Sequence, residues 1–120
     1  MNDSKHLLTA IKTWAAVAWA DGKLVEAERL TMKAIIAVAK ISDEERKIAS
    51  VWLDEPVKLA DLALELIPPS ERIHIYSVAC GVSALDKDIA AAERTFLDKL
   101  GTALGISADD AKKARAGAGL

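Results

Sequence analysis

Two pairs of carboxylates in this chain share one spacing: Asp21 with Glu28, and Asp86 with Glu93. Each glutamate follows its aspartate by seven residues (28 − 21 = 7; 93 − 86 = 7). Gly22 completes the only Asp-Gly dipeptide of the chain and gives the first pair a tight turn. Carboxylate oxygens gathered at such turns are hard donors, suited to a hard divalent cation such as Ca²⁺ or Mn²⁺. If the two turns meet, Asp21, Glu28, Asp86 and Glu93 are the candidate metal ligands and a divalent cation is the candidate cofactor. Lys23 and Lys87 beside them would keep the affinity modest.

Asp-Gly-x-Leu-x-x-x-Glu resembles the second half of an EF-hand loop, in which an aspartate and a bidentate glutamate reach one Ca²⁺. The first half is absent. Val17 and Trp19 stand where the first two ligands belong, and Val82 and Ala84 stand there in the second copy. Neither turn is an EF-hand alone. The same acids also suit helix ends, because negative charge in a first helical turn is favoured by about 0.3–1 kcal/mol. Arg29 and Arg94 could then pair with acids across the two halves.

Other reactive side chains are isolated. His6 and His74 have no second His or Cys at metal-ligand spacing, His6 reading as solvent-facing and His74 as partly buried. Cys80 lies in an apolar segment and reads as an inert core thiol. Trp14, Trp19 and Trp52 read as core or interface anchors. No phosphate loop, nucleophile elbow or zinc helix motif occurs, so no catalytic residue is assigned and a non-enzymatic role is expected.

Seven helices would position these residues. The first spans about Ser4 to Ala20, capped by Ser4 or Asp3, with a stripe of Leu7, Leu8, Ile11, Trp14, Ala15 and Ala18. The second spans about Val25 to Lys40, with Ala27, Leu30, Ala34, Ile35 and Val38 as its buried stripe. Ser42 with Glu45 is a capping box that opens the third, to about Leu53. Pro56 starts a fourth, carrying Leu59, Leu62, Ala63 and Leu66 on one face. Pro68-Pro69 is the joint between two halves of one domain. The fifth, about Ser70 to Leu85, is apolar nearly all round and belongs at the centre of a bundle. The sixth runs from about Ile89 to Leu104 with Gly105 as its cap, and Ser107 caps a short seventh before a frayed tail.

Sliding the chain along itself aligns the acidic pairs at one offset (86 − 21 = 65; 93 − 28 = 65). Val17 then meets Val82, Ala27 meets Ala92, Arg29 meets Arg94, and Ile41-Ser42 meets Ile106-Ser107. The expected fold is an all-α compact bundle of about seven helices in one domain over residues 1–120. It would be built from two tandem pseudo-twofold-related repeats, about 4–54 and 70–116.

The totals agree with such a fold. Much of the apolar content is alanine, the best helix former. A formal charge of −2 with dispersed basic residues excludes a nucleic-acid face. No apolar run reaches the roughly 18–20 residues of a membrane span, and no signal peptide is evident. A lone cysteine fits a reducing compartment, so the expected location is cytoplasmic.

The run Ala18-Trp19-Ala20-Asp21-Gly22-Lys23-Leu24-Val25-Glu26-Ala27-Glu28 resembles the tellurite-resistance TerB family. So does the partial second copy, Leu85-Asp86-Lys87-Asp88-Ile89-Ala90-Ala91-Ala92-Glu93, where Lys87 replaces the glycine. The resemblance covers about Leu7 to Ala114. It implies an all-α bundle, a cytoplasmic or membrane-associated setting in stress response and tellurite resistance, and divalent-metal binding at Asp21, Glu28, Asp86 and Glu93. The alternative from the residues themselves is a protein-interaction or assembly module, dimeric through an exposed apolar patch, whose acids are helix caps.

Overall fold

Alanine- and leucine-rich runs, punctuated by glycine, proline and serine caps, fold as six α-helices among the described residues. They are α1 (Asp3–Ala18), α2 (Glu26–Val38), α3 (Asp43–Val51), α4 (Pro69–Ser83), α5 (Ala91–Ala103) and α6 (Ala108–Gly117). The structure is a computed structural model that describes residues 3–20, 22, 24–84 and 91–119, with side chains for 7–20, 22, 24–84 and 94–119. The expected caps Asp3 and Ser4, together with His6 and Ile89, lie outside the described side chains.

Local chemistry explains the boundaries. Ser42 Oγ accepts the Glu45 amide at 3.1 Å while Glu45 Oε1 accepts the Ser42 amide at 3.0 Å, a complete capping box. Ser107 Oγ accepts the Asp110 amide at 3.2 Å at the start of α6. Pro69 opens α4, where its missing N–H is no loss. Gly105 ends α5 with φ 72°, and the Ile106 amide reaches back to Gly101 O at 3.0 Å.

The expected fourth helix does not form. Residues 57–67 instead make two single 3₁₀ turns, Leu59–Asp61 and Leu64–Leu66, separated by extended backbone at Leu62 (φ −88°, ψ 133°). Pro56 and Pro68 bound a segment too short to be a stable helix on its own. Asp61 Oδ2 takes the Lys58 amide at 3.1 Å, a local bond that competes with helix propagation. Lys12 Nζ in α1 donates to Asp61 O at 3.0 Å, and Val57 and Ile67 are buried as the segment's anchors.

α1 and α4 form the central pair, and α4 also packs on α6, α5 and α2. Small side chains let them approach: Ala15, Ala16, Ala18 and Ala79 are all buried in the core. Trp14 closes the contact, its indole Nε1 donating to Ile75 O at 3.0 Å. Thr13 is buried in α1, its hydroxyl satisfied by Thr9 O at 2.8 Å. The radius of gyration is 13.2 Å, close to the roughly 13.6 Å expected of a folded chain of this length. No described helix is long and apolar enough to cross a membrane.

Helix bounds in the two halves fall at one offset. α2 and α5 end at Val38 and Ala103 (103 − 38 = 65). α3 and α6 start at Asp43 and Ala108 (108 − 43 = 65). That is the spacing of the two carboxylate pairs.

α2 is rotated from its expected setting. Its buried residues are Glu28, Met32 and Ile36, each four residues from the next, with Ile35 half-buried. The expected core stripe faces out: Leu30 is 56% exposed, Val38 is 81% exposed, and Ala27 and Ala34 are exposed too. Sequence patterning places a glutamate outside by default, because acidic side chains are seldom fully buried. Glu28 is fully buried instead, and the buried stripe lies about 120–140° around the helix from the expected one.

Candidate functional site

The corner that follows α1 is built from bonds between neighbouring elements. Gly22 adopts φ 83°, the left-handed conformation its lack of a side chain permits, and its amide donates to Trp19 O at 2.8 Å. Trp19 is half-buried, and its indole Nε1 donates to Trp52 O at 2.7 Å, satisfying a carbonyl at the C-terminal end of α3. Arg29 in α2 reaches the same end, donating to Leu53 O and pairing with Asp54 Oδ1 at 3.0 Å. Arg29 therefore pairs within its own half and not across the two halves, while Arg94 is exposed.

Glu28 is 0% exposed. Its Oε1 accepts the Val25 amide at 3.3 Å, tying the first turn of α2 to the residue before it. Valine has no side-chain acceptor to return the bond, so this is only half of a capping box. The geometry fits a helix-end role for this acid. Asp21, Asp86 and the side chain of Glu93 lie outside the described residues. Among the described residues, no group of three or more His, Cys, Asp or Glu is placed to hold a metal ion.

Other arginines clasp helix ends as well. Arg46 donates to Ile36 O, to Ala39 O at 3.4 Å and to Ile41 O at 3.2 Å, covering the open carbonyls at the end of α2. Arg72 donates to Ile67 O at 3.1 Å and to Leu104 O at 3.4 Å. Arg115 in α6 donates to the Tyr76 hydroxyl at 3.1 Å and pairs with Asp98 of α5, joining three helices. Burial pushes the Tyr76 phenol and the Cys80 thiol above their ordinary ranges, although Arg115 pulls both the other way. Cys80 is fully buried and stays a thiol at neutral pH, an inert core group. His74, expected partly buried, is exposed.

The feature with most to offer a partner is the outer face of α2. Ala27, Leu30, Ala34, Ala37 and Val38 fall within an arc of about 100° at 3.6 residues per turn, and all five are exposed. α3, packed on α2, adds Ile48 and Val51 to the exposed apolar surface. α2 is thus apolar on two opposite sides, and only one side meets the core. The periodicity was visible in the sequence, but its direction was not. The Tyr76–Arg115 bond spans 39 residues and left no local signal.

The family described as Protein of unknown function (DUF533) matches residues 2–116. No curated protein and no solved structure matches the chain significantly.

Proposed function

The chain belongs to the DUF533 family of proteins of unknown function, and from its own surfaces we propose that it is a non-enzymatic helical association module that pairs with a second copy through the outer face of α2. The observation that carries this reading is the exposed stripe centred on Leu30, Ala34 and Val38. Its alanines would let two helices approach closely, and a twofold contact presents each large side chain twice. Burying Leu30 or Val38 is worth about 1.5–3 kcal/mol each. Association costs an estimated 4–15 kcal/mol or more, so the expected dimer is weak and concentration-dependent.

The double substitution Leu30→Asp with Val38→Asp tests it. Both residues are exposed in the monomer, so helical circular dichroism should persist, while pairing should weaken by at least about 100-fold because charges would enter the contact unpaired. Unchanged self-association in this variant would remove α2 from the interface.

A second reading keeps the divalent cation. The common offset of the helix bounds supports a chain made of two copies of a three-helix unit, with the acidic turns at matching corners. In this reading Asp21, Glu28, Asp86 and Glu93 hold Ca²⁺ or Mn²⁺, in the cytoplasmic stress or tellurite-resistance setting that the TerB resemblance implies. Asp21→Ala with Asp86→Ala should then abolish the calorimetric heat of Ca²⁺ or Mn²⁺ binding while the fold survives. A wild-type chain that gives no heat with either ion ends the metal reading.

A further inference from the structure

Where the end of α1, the link through residues 56–59 and α5 come together, the chain leaves a cleft of about 570 Å³. Small-ligand sites run roughly 300–1,000 Å³, so its size suits a small organic molecule. Trp19, Pro56, Leu59 and Phe96 supply apolar walls. Lys58 and Lys99 are the ionisable side chains lining it among the described residues, and both are exposed. The ion pairs of the described residues are Arg29–Asp54 and Arg115–Asp98, which leaves both lysines outside them.

We propose that this cleft binds a small amphiphilic carboxylate, an acyl chain against Trp19 and Phe96 with its head group held by Lys58 and Lys99. The polar groups of the walls narrow the ligand class. Trp19 has already given its indole N–H to Trp52 O, and the Gly22 amide is given to Trp19 O. The indole therefore offers its apolar ring and no donor. Among the described lining residues, Lys58 and Lys99 bring a pair of ammoniums from two different elements to a head group, and Thr95 adds a hydroxyl. A phosphate site is usually built from an arginine fork or a cradle of free backbone amides, and none of the arginines lines this cleft. Two point charges without that cradle fit a singly charged carboxylate. The groove faces solvent along its lysine side, which suits a chain laid along it with the charged end outward.

No residue of α2 lines the cleft, so its occupancy and the pairing of α2 stand or fall separately. The test titrates the wild-type chain with decanoate and, separately, with decyltrimethylammonium, both below their micelle-forming concentrations. Binding is read by calorimetry and by the NMR signals of the Trp19 indole and the Phe96 ring. Decanoate should saturate, shift both signals, and bind at least about tenfold tighter than the cation of equal chain length. The surface variant Lys58→Gln with Lys99→Gln should keep its fold and bind decanoate about tenfold more weakly. Equal binding of the two amphiphiles, decanoate binding untouched by the double substitution, or no saturable decanoate binding would each overturn the assignment.

Discussion

Replacing Tyr76 by alanine should destabilise the chain by about 4 kcal/mol or more, combining the cavity left by a buried ring with the loss of an acceptor for Arg115. Tyr76 is 0% exposed, and its ring and hydroxyl atoms lie 3.4–3.6 Å from where a Cβ on Gly101 would sit. Domains of this size are stable by only about 5–15 kcal/mol, so the variant should lose a large share of its stability and unfold at clearly lower urea than wild type. Tyr76→Phe keeps the ring and removes the hydroxyl, and should cost about 1–2 kcal/mol. It should also change the alkaline limb of the stability curve. Burial holds the folded phenol above its ordinary value of 10.0, so the unfolded chain loses that proton first. Stability must therefore fall as pH rises above that value, on top of the loss that Cys80 begins above 9.0. Urea unfolding across this range should give a shallower decline for Tyr76→Phe than for wild type. Parallel declines would mean that Tyr76 does not carry the effect.

The second large effect concerns Glu28. Glu28→Ala removes a fully buried side chain and leaves the Val25 amide without its carboxylate, an expected loss of about 2–4 kcal/mol. Glu28→Gln keeps the volume and an amide oxygen, and should lose about half as much. A helix-end role predicts the same losses in the presence of a chelator as in added Ca²⁺. A loss that appears only when Ca²⁺ is present would instead make Glu28 a ligand, since a bound ion stabilises the folded state alone.

These two residues also show where reading the sequence succeeds and fails. Ser42, Ser107, Pro69 and Gly105 act locally, through backbone groups a few residues away, and the helix ends they set agree with expectation within a few residues. The segment from Val57 to Ile67 misled because its leucines fit a helical period while its length and flanking prolines forbade a helix. α2 misled for a different reason. Its two apolar stripes are nearly equivalent to any pattern count, and the one that is buried carries Glu28 beside Met32 and Ile36. Burial of Glu28 depends on packing that its neighbours in sequence do not encode. The Tyr76–Arg115–Asp98 link is likewise a product of three helices meeting. Of the four acids singled out by spacing, only Glu28 has its side chain among the described residues, and it is engaged at its own helix terminus.

That reversal of α2 is what turns a core stripe into an association surface, and it makes the mass of the chain in solution the most direct test. Light scattering on the eluting wild-type chain over rising protein concentration should show the mass climb from 12.8 kDa toward twice that value. The Leu30→Asp, Val38→Asp variant should stay at 12.8 kDa throughout. A wild-type mass fixed at the monomer value at every concentration would contradict the account.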